Sequence, residues 1–181
     1  MNWKIDPAHT QIGFMVRHMM IAKVRGSFGS YDGSIDLGTG DLAAATIAGT
    51  VAVASINTGD EQRDAHLRSA DFFDVDNYPT MSFRSTRIEA AGADQYKLYG
   101  ELTIKDTTQE VVLDVTNEGQ AQDPWGGQRW GFTAGTKINR KAFGLTWNVA
   151  LETGGWLVGD EVTISIELEL VGQPESEAAL A

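Results

Sequence analysis

The sequence predicts an all-β protein, a single eight-stranded antiparallel β-barrel with a short helical insertion after the third strand. Three observations predict it. Apolar and polar residues alternate with period two along most of the chain, which is the pattern of half-buried strands. Only residues 58–69 break that alternation, with a capped helical pattern. The chain also carries 20 glycines against 4 prolines, a balance suited to turns, bulges and close backbone approaches.

The strands follow in order. Ile12, Phe14, Val16 and His18 alternate with Gln11, Gly13, Met15 and Arg17. Residues 28–37 read as the second strand and 46–54 as the third. In the helical segment Thr58 or Asp60 can cap the first turn, acidic residues follow, and Tyr78-Pro79 ends the region. Met81, Phe83 and Ser85 resume the alternation, and a turn at 90–94 leads to Tyr96, Leu98, Gly100, Leu102 and Ile104. A tight turn at 105–108 precedes Val111, Leu113 and Val115. A loop over 119–128 holds Trp125, and Trp130, Phe132 and Ala134 begin the next strand, which runs to about Ile138. The clearest strand is the last, where Val162, Ile164, Ile166, Leu168 and Leu170 alternate with Thr163, Ser165, Glu167 and Glu169. A sheet of these strands closes into a barrel because an open one leaves edges unpaired. The domain is expected over 1–172, and 173–181 reads as a disordered acidic tail.

Composition narrows the function. The net charge of −11 disfavours nucleic acid and anionic surfaces, and no linear run of Lys or Arg offsets it. There is no cysteine, so disulfides, thiolate metal sites and cysteine nucleophiles are excluded. No stretch approaches the ~20 apolar residues of a membrane span, so no stable membrane insertion is expected. The first residues are already strand-like and carry no apolar signal region, which gives a cytoplasmic expectation, or a periplasmic or secreted one if a signal has been removed.

The residues that could carry chemistry are few. His9 and His18 lie nine positions apart on what reads as one strand. At ~3.3 Å per residue they stand roughly 30 Å apart and on opposite faces. With His66 on the helix they form no shared metal site, and none is expected. Gly26-Ser27-Phe28-Gly29-Ser30 lacks both a nucleophile elbow and a phosphate-loop lysine. Asp32 and Asp36 share a strand face and could pair as glycosidase carboxylates, but such pairs on acidic surfaces are usually solvated. Aromatics lie on nearly every strand, while Gly13, Ala48, Gly49, Ala52, Gly100, Gly131 and Ala134 leave room beside them. An eight-stranded barrel of this kind is either just filled or holds one small ligand.

Five ordered segments resemble one family. Residues 3–18, with Asp6, His9, Thr10, Phe14, Val16 and His18, are similar to its opening strand, and 24–28 to the start of its second. Residues 63–74 followed by Tyr78-Pro79 resemble its helix motif, 100–105 its central hairpin, and 139–147 its Arg-x-x-Phe-Gly…Trp segment. The family is that of the YceI-like, polyisoprenoid-binding, lipocalin-like barrels. The resemblance implies an extended barrel with a helix at one end, no established catalysis and no cofactor beyond a bound lipid. Its expected ligand is a long apolar chain of isoprenoid or polyprenyl type, or a quinone or fatty-acid derivative, held for carriage, storage or stress response. An enzyme acting on a lipid or small amphiphile is the alternative. The matching motifs place Phe14, Val16, Phe28, Phe72, Phe132 and Trp147 in the tunnel, and Arg17, His18, Arg63 and His66 at a mouth for a polar head group. A homodimer is also implied.

Overall fold

Alternation produces strands where it predicts them, but several bend in ways that alternation hides. The computed structural model describes residues 2–37 and 41–173. Before the helix its strands are β1 (Asn2–Ile5), β2 (Gln11–His18), β3 (Ala22–Phe28), β4 (Tyr31–Asp36), β5 (Thr46–Ala52) and β6 (Ile56–Asn57). Helix α1 (Glu61–Arg68) follows, then β7 (Thr80–Ala90), β8 (Gln95–Ile104), β9 (Thr107–Gln122), β10 (Gln128–Asn139) and β11 (Val158–Gln173). The strand pairings among the described residues are antiparallel, in the order β4-β5-β7-β8-β9-β10-β11-β2-β3-β6, with β1 beside β11.

That order closes on itself. β3 and β4 are one strand bent at Gly29–Ser30, and β5 and β6 are one strand bent at a 3-10 turn over Val53–Ser55. The two bent strands pair on both sides of their bends, through Phe28 with Ile56 and Tyr31 with Val51. At the bend itself Gly29 N donates to Ser55 O (3.3 Å) and Ala52 N donates to Ser30 O (2.9 Å). Merging them leaves the eight-strand circuit of a barrel. The 3-10 turn replaces period two with period three, so Val53 and Ile56 both point inward, each only 1% exposed.

The predicted strand at 28–37 is corrected by this geometry. Phe28 ends β3, and the bent strand begins earlier than predicted, with Ala22–Phe28 paired to β2 before the bend. The loop read at 119–128 shrinks to 123–127, because β9 runs to Gln122 and β10 starts at Gln128. Residues 3–18 are not one strand either. Asp6 Oδ1 accepts from Ala8 N (3.0 Å) and His9 N donates to Asp6 O (3.2 Å), a turn that separates β1 from β2. β11 extends through Gln173, which pairs with Asn2; the rest of the tail, 174–181, lies outside the described residues.

The core runs along the barrel axis. Phe28, Val53, Ile56, Phe72, Met81, Leu98, Ile104, Val111, Leu113, Ile138, Phe143 and Leu145 are all buried in it. No helix among the described residues is long and apolar enough to cross a membrane.

Candidate functional site: the barrel interior

The inward faces hold three groups of aromatics. In the middle, the ring of Phe14 lies 5.6 Å from that of Phe28, and Phe28 lies 6.1 Å from Phe73. At the helix end, Trp147 stands 5.3 Å from Phe72 and 4.6 Å from His66. At the opposite end, Trp130 lies 5.3 Å from Trp3 and 5.1 Å from Phe132. The tunnel residues expected from sequence are therefore spread along the barrel. Phe14 and Phe28 meet, Phe72 and Trp147 meet, and Phe132 stands apart from both pairs. Val16 is half-buried and shares the inward face of β2 with Phe14.

Small residues were expected to leave this interior open. At Gly100, and also at Gly26, a neighbouring ring fills the space instead. A side-chain carbon on Gly26 would come within 2.4 Å of the Phe14 ring, and one on Gly100 within 2.3 Å of the Phe83 ring. Each ring lies across a glycine on the neighbouring strand. Among the described residues a small open space lies between Leu42, Ile88, Tyr96, Leu98, Val115 and Phe132, with a volume of about 40 Å³. Its lining is wholly apolar. Leu42 belongs to a 3-10 turn at Leu42–Ala44, and Leu98 joins this space to the core.

Two of the polar residues expected at a mouth, Arg63 and His66, have partners of their own within the chain. Arg63 donates from Nε to Thr58 Oγ1 (2.7 Å) and from Nη2 to Thr58 O (2.9 Å). Its neighbour Asp64 is buried and accepts from Thr58 N (2.9 Å) and Oγ1 (2.6 Å), so the two anchor α1 to the strand before it. His66 Nε2 lies 2.8 Å from Asp71 Oδ2. His18 is half-buried, facing inward with Val16, whereas Arg17 is exposed on the outer face. All four lie away from the apolar opening beside Phe132.

One residue with no expected role fixes the helix end. Arg140, 3% exposed, donates to Leu145 O (2.7 Å), Gly159 O (2.8 Å), Trp147 O (2.9 Å) and Val158 O (3.3 Å). Burial lowers its pKa below that of an ordinary guanidinium, and Asp160 opposes that shift. It thereby stitches the segment that carries Trp147 onto β11. A cationic residue within a strand-to-loop motif was the only sequence signal, and it does not distinguish a buried arginine from a surface one.

The break between β1 and β2 holds a second polar cluster. Asp6, His9 and Glu169 bring ligand atoms within 4.8 Å of one another, spacing that could hold a cation. Arg129 already sits there, with Nη1 2.5 Å from Asp6 and 3.0 Å from Glu169, and Nε 3.0 Å from Asp123. The guanidinium supplies the positive charge these carboxylates need. Chelator treatment is accordingly expected to leave the melting temperature unchanged, and stoichiometric metal in untagged protein would contradict this.

The same cluster gives a pH dependence. The hydrogen bond to Asp6 and then the charges of Glu169 and Asp6 raise the His9 pKa above its ordinary 6.5. The hydrogen bond from His9, opposed by desolvation, lowers the Asp6 pKa below its ordinary 3.8. The His9 contribution is fully present below 6.5 and is lost as pH rises through the raised value. The Asp6 contribution is present above 3.8 and is lost as pH falls through the lowered value. Thermal melts should thus show His9→Gln costing most between pH 3.8 and 6.5 and nothing at alkaline pH. An equal cost at pH 9 would show that the imidazole acts by packing instead.

The YceI-like domain matches residues 3–170. The chain belongs to the YceI-like family. A UPF0312 protein of Staphylococcus aureus is 36% identical over 169 residues, covering 93% of this chain and 96% of its own. Among solved structures, BcnA of Burkholderia cenocepacia superposes with a TM-score of 0.75 at 28% identity, covering 94% of this chain and all of its own. A polyisoprenoid binding domain from Saccharophagus degradans shares the fold at a TM-score of 0.68 and 14% identity, over 94% of this chain and 98% of its own. In this YceI-like protein three of the five family-like segments include turns: the β1–β2 break, the helix with its flanking turns, and the Arg140 stitch.

Proposed function

We propose that this barrel binds a long-chain apolar lipid of isoprenoid or polyprenyl type and carries or stores it without chemical change. The observation that carries the reading is the wholly apolar opening lined by Leu42, Ile88, Tyr96, Leu98, Val115 and Phe132, which adjoins the core through Leu98. An apolar concavity selects ligands by hydrophobic burial, worth ~0.8 kcal/mol for each CH₂ removed from water. The ligand named for the Saccharophagus degradans domain is a polyisoprenoid, whose chemistry suits such a lining.

The size of the opening adds a requirement. About 40 Å³ is the room of a few waters at ~10–15 Å³ each. A chain of roughly twenty carbons, which could gain more than ~10 kcal/mol gross, needs the side chains around it to move. Loading therefore involves repacking of the Phe132 end. Head-group contacts at this end would come from groups other than Arg63 and His66, which are already engaged.

The test is extraction of lipid from purified wild type and from Val115→Trp, with identification by mass spectrometry. Wild type is expected to retain a long-chain lipid. The added indole fills the opening, so the variant should fold and emerge empty. Equal lipid in both stable proteins would place the ligand elsewhere, and no lipid in wild type after addition of a polyprenyl phosphate would overturn the reading.

A further inference from the structure

We propose that the β2–β3 hairpin tip, with the loop beside it, docks on the surface of an anionic lipid bilayer. The inference concerns the outer surface and does not depend on what the barrel holds.

The tip is built against local preference. Ile21 N donates to His18 O (3.2 Å), and both central residues lie in the left-handed region, Met19 at φ 51° and Met20 at φ 61°. A turn whose two central residues both lie at positive φ favours Asn-Gly there, because a side chain at positive φ meets the backbone. Here two methionines occupy those positions, and an isoleucine follows. None of them is buried in return. Met20 is 63% and Ile21 83% exposed, a combination of strain and exposure that folding alone does not explain.

The adjacent loop joins the tip in one surface. Met19 N donates to Leu157 O (2.7 Å), and Leu157 N donates to Val149 O (2.9 Å). Met20 lies over Gly155, where an added side-chain carbon would stand 2.3 Å from its sulfur. Val149 and Trp156, the latter 54% exposed, complete an apolar patch of five residues with Met19, Met20 and Ile21.

Charge identifies the partner. No carboxylate occurs from Pro7 to Tyr31 in a chain whose net charge is −11. Strand pairing sets Arg17 directly opposite Lys23, and Arg25 occupies the next outward position on β3. All three are exposed, and none has an ion pair among the described residues. Like charges directly opposite one another destabilise a hairpin, so this collar also runs against the fold's own interest. The Lys141 ammonium lies 5.9 Å from the Trp156 ring and is paired with Asp160. Among the nearby acids, Asp160 is held by Lys141 and Glu161 by Lys137, leaving Glu152 as the one carboxylate of segment 149–157. Methionine and isoleucine suit the acyl boundary, tryptophan the interface, and lysine and arginine the lipid phosphates.

The experiment is flotation of the full chain with vesicles of equal parts phosphatidylcholine and phosphatidylglycerol, and with phosphatidylcholine alone. Wild type should bind the anionic vesicles and release from them in high salt. Met19→Asn with Met20→Gly should raise the melting temperature, by relieving the turn, and weaken binding at least ~10-fold. Lys23→Glu should weaken binding to the anionic vesicles while leaving the fold intact. Failure of wild type to bind anionic vesicles, or equal binding by the Asn-Gly variant, overturns the proposal. So does concentration-dependent self-association that the Asn-Gly variant abolishes without any vesicle binding, because the patch then belongs to a second copy of this chain.

Discussion

Arg140→Met should be among the most destabilising single substitutions in this barrel. The four carbonyl oxygens of Leu145, Trp147, Val158 and Gly159 accept from one guanidinium, itself 3% exposed. Methionine keeps much of the volume and donates nothing. Each buried acceptor left unpaired costs about 1–3 kcal/mol, although relaxation and water will satisfy some of them. A loss of at least ~3 kcal/mol in denaturant unfolding is expected, with the Trp147 environment changing in the native state. Arg140→Lys should recover only part of this, since an ammonium is a compact donor and cannot span four carbonyls as the planar fork does. A loss below ~1 kcal/mol would mean that the segment 140–158 is held mainly by Phe143 and Leu145 in the core.

Gly100→Ala should be nearly as severe, and for a different reason. The added carbon would stand 2.3 Å from the Phe83 ring and 2.6 Å from the carbonyl oxygen of Arg84. The ring can rotate away, but the carbonyl belongs to a strand whose register shifts between Ser85, the partner of Gly100, and Arg87, the partner of Tyr99. Bulges of this kind draw the backbones together, which is where a strand uses glycine. A cost of ~1–3 kcal/mol or more is expected from overpacking. Gly26→Ala provides the contrast. Its obstructions are the Phe14 ring and the Thr58 methyl, both side chains. Pairing Gly26→Ala with Phe14→Leu should therefore restore most of the stability, whereas pairing Gly100→Ala with Phe83→Leu should not. Equal rescue at both sites would show that the Arg84 carbonyl can retreat.

These two positions also show what a sequence conceals. Alternation was sufficient to place β11, because Val162 to Leu170 repeats without interruption and each inward residue has an inward partner on β10. It was not sufficient to find the bends. Phe28 to Asp36 keeps an alternating pattern through Gly29–Ser30, so one strand and two bent segments look alike until the pairing to Ser55 is known. The hairpin at Met19–Met20 carried no Gly, Asn, Asp or Pro, so its turn gave no signal at all. Gly100 was legible as space on a strand face, but which neighbour meets that space depends on register, and there, as at Gly26, it is a phenylalanine. The same limit applied to the candidate site. Motif residues such as Phe14, Phe28, Phe72 and Trp147 do line the interior, while Arg63 and Arg17 cannot be assigned to a mouth or an outer face from their charge alone. The basic collar was hidden for a related reason: residues 17, 23 and 25 form no run in the chain, and only strand pairing makes them neighbours.

The pairing of β2 with β11 has a consequence for how the protein is made. Residues 11–18 on one side of the seam find their partners at 158–167, and residues 2–5 find theirs at 170–173. The intervening hairpins can form while the ribosome is still translating, since β7 to β10 each pair with the next strand along. The ring cannot close until residues 158–173 have emerged. Until then β2 and β10 each present an unpaired edge with an apolar face beside it, the state in which strands recruit foreign strands. A nascent chain stalled before Val158 is thus the form that most needs a chaperone, and ring closure is a late, long-range step expected to set the folding rate.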